Sequence, residues 1–325
     1  MPQLYPIPLG IAGYLGFSGY RKGSLSLDGA ITAGLVGYAS MANPFVGFGL
    51  TLITFYLAGS RATKFKAQIK ESLETHAIEP PAPTPAENGK KRDTTSGNRS
   101  AWQVLCNSFT AVVACLAFRY LNEGRDVVDP LSNAVRVLEV AGRRVELSNL
   151  MLTLVVGGHY AACMGDTFAS ELGILSTAEP RLVTSPWRRV PKGTNGGVSP
   201  LGLVVSALGG TLIGVTMSLS LLTTHSDLNV EGHAKLVALL TAAGLAGSLL
   251  DSVLGATLQQ TLYNPSSKKV LVGQVIDVLD GKKQDEPNAT WVSVTGWNVL
   301  SNNAVNFVAS AATAVGTAWI GTKLF

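Results

Sequence analysis

Charge is what this chain lacks. Only 14% of its 325 residues are Asp, Glu, Lys or Arg, against roughly 25% in an ordinary soluble domain, and the mean hydropathy is +0.28. Such a chain has lipid for a solvent. Aromatic residues are also few, at 7%, and the net charge is a modest +4. There is therefore no basic surface interleaved with rings, and a nucleic-acid partner is excluded. Cysteine is nearly absent: Cys106, Cys115 and Cys163 all fall in apolar stretches. An odd, widely spaced set makes neither a disulfide framework nor a metal knuckle, so these three read as small helix-packing residues. The first apolar stretch has no positive n-region and no small-residue cleavage site, which predicts a retained span rather than a removed signal.

What is present is a series of apolar runs near the length of about 20 residues that crosses a hydrocarbon core. They extend from Leu4 to Tyr20, Ala30 to Ala42, Pro44 to Gly59, Ala101 to Tyr120, Asn149 to Met164, Val198 to Thr223, Ala234 to Leu258 and Asn303 to Leu324. The expected fold is all-α, a polytopic transmembrane bundle of about eight spans and no fewer than six, forming a single membrane domain over residues 1–325. Asn43-Pro44 splits one apolar stretch into a hairpin of two helices, because that dipeptide favours a turn. With this hairpin in place, the Lys- and Arg-rich loops fall on one side. The Asn43 turn, the mixed-charge Asn122–Ser148 loop and the Thr224–His233 loop, the last without Lys or Arg, fall on the other. The positive-inside rule puts the basic side in the cytoplasm and both termini opposite. Residues 75–97, centred on EPPAPTPAENGKKRDTTSG, are too polar and proline-rich to bury a core and read as a flexible cytoplasmic linker. Gly244, Gly247, Ser248 and Gly255 recur at spacings that let membrane helices approach closely.

Carboxylates at span ends carry the chemical information, since charge near lipid is costly without a partner, metal or cavity. Asp166 and Glu171 end the fifth span in GDTFASEL, and Asp251 ends the seventh in GSLLDSVLGA. Paired carboxylates at one depth suggest magnesium, which takes oxygen ligands and leaves positions for substrate phosphates. Lys192, Thr194, Asn195, Gly196, Gly197 and Ser199 form a Gly-rich turn before an apolar helix, an arrangement suited to phosphate. Its spacing is not that of a P-loop. Asn302, Asn303 and Asn306 cluster where the eighth span begins, and Asn107 lies early in the fourth beside Arg99 and Gln103; all four amides serve equally well as ligands or as helix-capping groups. Cations expected on the same face include Arg21, Lys22, Arg61, Lys64, Lys66, Arg188 and Arg189, with Ser60 beside Arg61. His159 precedes Asp166 by two turns and reads as a hydrogen-bonding residue.

Five ordered motifs carry a resemblance. RKGSLS from Arg21, FYLAGSRATK ending at Lys64, GDT with ASE through Ser170 and Glu171, GTNGGVS ending at Ser199, and DSVLGA from Asp251 resemble the transmembrane-protein-19-like family, which includes the plant phytyl-phosphate kinase of tocopherol synthesis. The resemblance spans nearly the whole chain except the linker. It implies an enzyme that uses CTP or another nucleoside triphosphate to convert a prenyl or phytyl monophosphate into its diphosphate. On that reading Asp166 and Asp251, assisted by Glu171 and Asn302 or Asn306, hold magnesium. Lys192 and the turn at Thr194–Gly197 cradle the nucleotide, and Arg61 and Lys64 hold the acceptor phosphate. The endoplasmic reticulum or another intracellular membrane is the expected location, with the site facing the cytoplasm and homo-oligomerisation left open. A weaker likeness, over the second half only, points to CTP-dependent lipid-phosphate cytidylyltransferases, and a membrane transporter is the alternative from another class.

Overall fold

Residues 4–65, 67–76, 98–224, 228–272 and 291–325 are described by a computed structural model. The chain there is mostly helical: α1 Pro6–Arg21, α2 Leu27–Met41, α3 Gly47–Lys64, α4 Ala67–Leu73, α5 Ala101–Cys106, α6 Phe109–Leu121, α7 Asn149–Leu172, α8 Pro200–Leu221, α9 Val230–Leu258 and α10 Asn302–Gly321. Most of these helices begin at a residue whose side chain accepts from a first-turn amide, as expected where the first backbone N–H groups have no partner inside the helix. Ser26, Ser148, Ser199, Asn229 and Ser301 do this for α2, α7, α8, α9 and α10. Ser100 and Gln103 form a reciprocal capping box for α5.

The Asn43-Pro44 break yields two separate helices, α2 and α3, as the turn signal indicates. The expected fourth span is instead two helices, α5 and α6, interrupted at Asn107-Ser108. Among the described residues three helices, α8, α9 and α10, are long and apolar enough to cross a membrane, and α6 is a shorter apolar helix.

Helix α7 is the axis of the bundle. It is buried almost continuously from Asn149 to Gly165 and packs against α3, α6, α8, α9 and α10. A helix buried on every side needs no polar face, and α7 shows none until Asp166. Small residues set its closest neighbours. A Cβ on Gly165 would strike the Gly244 carbonyl of α9, one on Gly209 would lie 2.8 Å from the Met164 carbonyl oxygen, and one on Gly244 would lie 2.6 Å from Gly210 of α8. Three backbones thus meet with nothing between them, which is how association is achieved where lipid provides little hydrophobic driving force. Gly244 and Gly247 therefore play the packing role that their spacing indicates. At the far end Phe48 packs edge-on against Phe45 and Phe118, with centroids 5.1 and 4.9 Å away.

The all-α expectation is corrected by strands in the connections. Strands β2 Arg136–Val140 and β3 Arg143–Leu147 make an antiparallel hairpin whose turn residues Ala141 and Gly142 both have positive φ, 50° and 75°. Between α7 and α8, β4 Arg181–Leu182 pairs with β5 Ser185–Arg189 and β6 Gly197–Val198. A third sheet has the order β1-β8-β7-β9, from β1 Glu74–His76, β7 Thr261–Asn264, β8 Lys269–Val272 and β9 Val292–Thr295. These strands hold two to five residues each, too few for alternation to register in sequence. The proposed linker begins inside β1, and its residues 77–97 lie outside the described residues.

Candidate functional site

The bundle opens at one end into a cavity of 1530 Å³. The C-terminal ends of α3, α7 and α9 and the N-terminal ends of α5, α8 and α10 converge on it. Helix N-termini carry partial positive charge, so three of these six ends favour an anion. The volume exceeds the roughly 300–1,000 Å³ of a pocket for one small ligand, leaving room for two substrates side by side.

Asp166 and Asp251 both line this cavity, from α7 and α9. Their helices are in backbone contact at Gly165, next to Asp166, and at Gly244, two turns before Asp251. Asn306 of α10 holds Asp251: with its amide nitrogen turned toward the acceptors, it donates to Asp251 Oδ2 at 3.0 Å and to the Asn302 carbonyl at 3.1 Å. In that orientation Asn306 positions Asp251. Glu171 has a partner of its own. Its Oε1 accepts from Lys70 Nζ at 3.0 Å, with both side chains largely covered, so the carboxylate already has a cation. Asn302 and Asn303 line the cavity as expected, and Gln259 Nε2 donates to Asn302 Oδ1 at 3.5 Å.

The Gly-rich turn lines the cavity as well. Gly193 and Gly196 have φ of 87° and 77°, conformations that L side chains avoid. Gly196 rests directly on α9, where a Cβ would collide with Ala256 and come within 2.7 Å of the Ser252 carbonyl oxygen. The turn therefore sits one helical turn from Asp251. Thr194 Oγ1 donates to the Pro191 carbonyl at 2.7 Å and Ser199 Oγ to the Gly173 carbonyl at 3.3 Å. Lys192 Nζ donates to the Ser176 carbonyl at 2.6 Å and lines the cavity with Thr194, Asn195, Gly196 and Gly197. Ser170 and Asn107 also reach it.

Arg21, Lys22, Ser60, Arg61 and Lys64 are not among the lining residues. Helix α3 continues to Lys64, and helical spacing turns Arg61 and Lys64 outward, where both are exposed, while Tyr56 and Thr63 face inward. Arg21 stacks at 6.0 Å over Phe17 of its own helix. Arg188 donates to the Val294 carbonyl, and Arg189 pairs with Glu179 at 3.2 Å. Lys66 lies outside the described residues. Two other cations take their place, Lys70 of α4 and Arg99, which directly precedes the α5 cap. The backbone at Arg99 is bound to α2, since its carbonyl accepts from the amide and hydroxyl of Ser26 and its amide donates to the Ser24 carbonyl. Burial draws the Arg99 guanidinium below its ordinary pKa, opposed by the nearby Glu171 carboxylate and Tyr56. The sequence signal for Arg99 was the Ser100–Gln103 capping box, which fixes the chain immediately after it.

These features define an integral membrane protein with a large polar-ended cavity set between helix termini. The chain belongs to the family described as integral membrane protein DUF92, which matches residues 10–314. Along almost its full length it is similar to Protein PGR of Arabidopsis thaliana, at 32% identity over 324 residues, or 97% of this chain and 95% of that one. A shorter similarity, 39% identity over 123 residues, links 37% of this chain to 47% of an uncharacterized membrane protein of Methanocaldococcus jannaschii. No solved structure matches.

Proposed function

We propose that the protein is a kinase of the transmembrane-protein-19-like type. It transfers a phosphoryl group from a nucleoside triphosphate, CTP foremost, to an isoprenoid lipid monophosphate at the cytoplasmic face of an intracellular membrane, within a bundle of eight spans. One observation carries this reading: a single cavity joins Asp166, Asp251 and the Gly193–Gly197 turn at one end to an apolar interior between helices. A water-soluble triphosphate and a lipid headgroup can meet there.

In the reaction an oxygen of the lipid monophosphate attacks the γ-phosphorus, the bond from that phosphorus to the β-bridging oxygen breaks, and the nucleoside diphosphate leaves. The acceptor has its second pKa near about 6 and is already anionic at neutral pH, so no strong general base is needed. Catalysis then consists of positioning and charge neutralisation. Lys192 and the amides of the Gly193–Gly197 turn bind the donor phosphates, and Arg99 faces the acceptor phosphate. Asp166 and Asp251, with the Asn302 side chain, would hold magnesium. The donor set fits a hard cation, being oxygen throughout. Among the described residues no cluster of three or more His, Cys, Asp or Glu stands ready for a metal, so substrate phosphates and water must complete the shell, as magnesium permits. When bound, the ion neutralises charge on the transferring phosphoryl group. Lys70, paired with Glu171, roofs the carboxylates.

The test is purified protein in nanodiscs with CTP, magnesium and geranylgeranyl or phytyl monophosphate, read by product mass. The diphosphate is expected, and Asp166→Asn or Asp251→Asn should lower its rate by roughly a hundredfold or more, the scale of losing one electrostatic stabiliser. A product carrying CMP would make the protein a cytidylyltransferase instead. Movement of unchanged lipid phosphate across proteoliposomes, without turnover of any of the four nucleotides, would make it a transporter.

A further inference from the structure

The apolar part of the cavity has a shape of its own. From the polar end it runs into the bundle along one stripe of α2, with Ala33, Val36, Gly37 and Met41 at positions i, i+3, i+4 and i+8. That stripe covers about 12 Å of helix at 1.5 Å per residue. Leu52 and Ile53 of α3 line it from one side and Leu15 of α1 from another.

Two features bound this limb. First, α1 and α2 touch through small residues. A Cβ on Gly16 would lie 2.8 Å from the Ala30 carbonyl oxygen, and one on Gly37 would lie 3.2 Å from the Ala12 Cβ. That wall is sealed, while Ile31 and Leu35 on the outer face of α2 are 59% and 68% exposed. Second, the limb has a floor. Lining stops at Met41 and Leu52. A Cβ on Gly49 would lie 2.5 Å from Met41 Cγ, and the fully buried rings of Phe45, Phe48 and Phe118 fill the space toward the far end.

We infer that this limb takes the hydrocarbon tail of the lipid monophosphate, with Ala33 and Val36 setting its width and Met41 closing it, so that the protein selects its acceptor by tail length. The inference rests on the proposed kinase reading for the headgroup. The occupant follows from continuity: the limb opens at its polar end onto Arg99 and the carboxylates and is apolar everywhere else, so a ligand filling both ends is anionic at one end and hydrocarbon at the other. A methylene that finds a fitting wall instead of a clash is worth roughly tenfold or more in kcat/KM. Ala33→Phe, which puts a ring into the limb, should therefore lower the ratio of kcat/KM for geranylgeranyl over isopentenyl monophosphate by roughly tenfold or more. Met41→Ala should raise the ratio for solanesyl over geranylgeranyl monophosphate.

A binding experiment on the unmodified protein separates this inference from the kinase reading. An alkyl monophosphate with a diazirine at its tail end is photolysed in nanodiscs, and the labelled residues are mapped by mass spectrometry. Label at Met41, Leu52 and Ile53, competed by unlabelled geranylgeranyl monophosphate, supports the limb whether or not phosphoryl transfer is detected. Label at lipid-facing Ile31 and Leu35, with tail-length ratios unmoved in both variants, overturns it even if the protein proves to be a kinase.

Discussion

Gly196→Ala is expected to damage the nucleotide wall through two separable terms. The residue has φ of 77°, and holding an L side chain in the left-handed region costs about 1–2 kcal/mol. Its new Cβ would also collide with Ala256 and the Ser252 carbonyl of α9, and forcing extra atoms into a packed contact costs about 1–3 kcal/mol. A control isolates the second term. Gly124 has φ of 73°, but a Cβ there meets nothing within 4 Å, so Gly124→Ala carries the strain alone. Denaturant titration in mixed micelles should show Gly196→Ala less stable than Gly124→Ala by about 1–3 kcal/mol. Relief of the collision by moving the 193–197 turn off α9 should raise the KM for CTP, while the KM for the lipid phosphate changes less. Equal stability of the two variants would refute the close approach of turn and helix, and an unchanged KM for CTP would remove the turn from the nucleotide site.

Three further outcomes test the arrangement. Arg99→Gln should raise the KM for the lipid phosphate by roughly tenfold or more, the scale of a charge-assisted hydrogen bond of about 1.5–3 kcal/mol, whereas Arg61→Gln and Lys64→Gln should stay within about twofold, as expected of solvent-exposed charges worth under about 1 kcal/mol. Glu171→Gln and Lys70→Gln should weaken turnover to a similar extent, and the double variant should be no worse than either; a rise in the magnesium requirement confined to Glu171→Gln would return that carboxylate to the metal. Far from the cavity, buried Asn122 and Asn149 donate to each other at 2.9 and 3.2 Å, so Asn122→Leu should cost about 1–3 kcal/mol by stranding Asn149 Oδ1, with the chemistry spared, and a stability equal to the parent's would refute that pairing.

The apolar helices were legible in sequence because each is long and its caps are local. Ser26, Ser148, Ser199, Asn229 and Ser301 stand where the helices begin, and the Asn43-Pro44 turn separates α2 from α3. The carboxylates and the Gly-rich turn were legible for the same reason, as features of single segments. Of the cation partners, Arg99 showed only as a neighbour of Asn107, and Lys70 not at all. Arg61 and Lys64 follow a span directly and read as site residues, but just over one extra turn of α3, from Gly59 to Lys64, carries them outward. Arg99 and Lys70 belong to the segment joining α3 to α5, whose placement depends on long-range contacts: the Arg99 backbone on Ser24 and Ser26, and Lys70 on Glu171, 101 residues away in sequence. No local pattern encodes such pairings. The short strands escaped because pairing partners, not periodicity, make them.

The break between α5 and α6 shows why the site lies where it does. Irregular backbone inside a packed bundle needs partners for its polar groups, and Asn107 is such a point. Its side-chain amide donates back to the Gln103 carbonyl at 2.9 Å. Its own carbonyl, freed by the break, lies 3.0 Å from His159 Nε2 and 3.9 Å from Cys163 Sγ. A carbonyl can only accept, so that imidazole nitrogen carries the proton. His159 therefore acts as a backbone partner, which explains a histidine buried in the middle of α7, and it fixes Asn107 beside the cavity where the carboxylates open. Replacing it by Leu would leave the carbonyl with the weak thiol donor alone, at a cost of about 1–3 kcal/mol, and the hinge would shift with it. His159→Gln, whose amide can donate to the same carbonyl, should restore much of that stability. If His159→Leu and His159→Gln prove equally stable, the break owes nothing to this hydrogen bond.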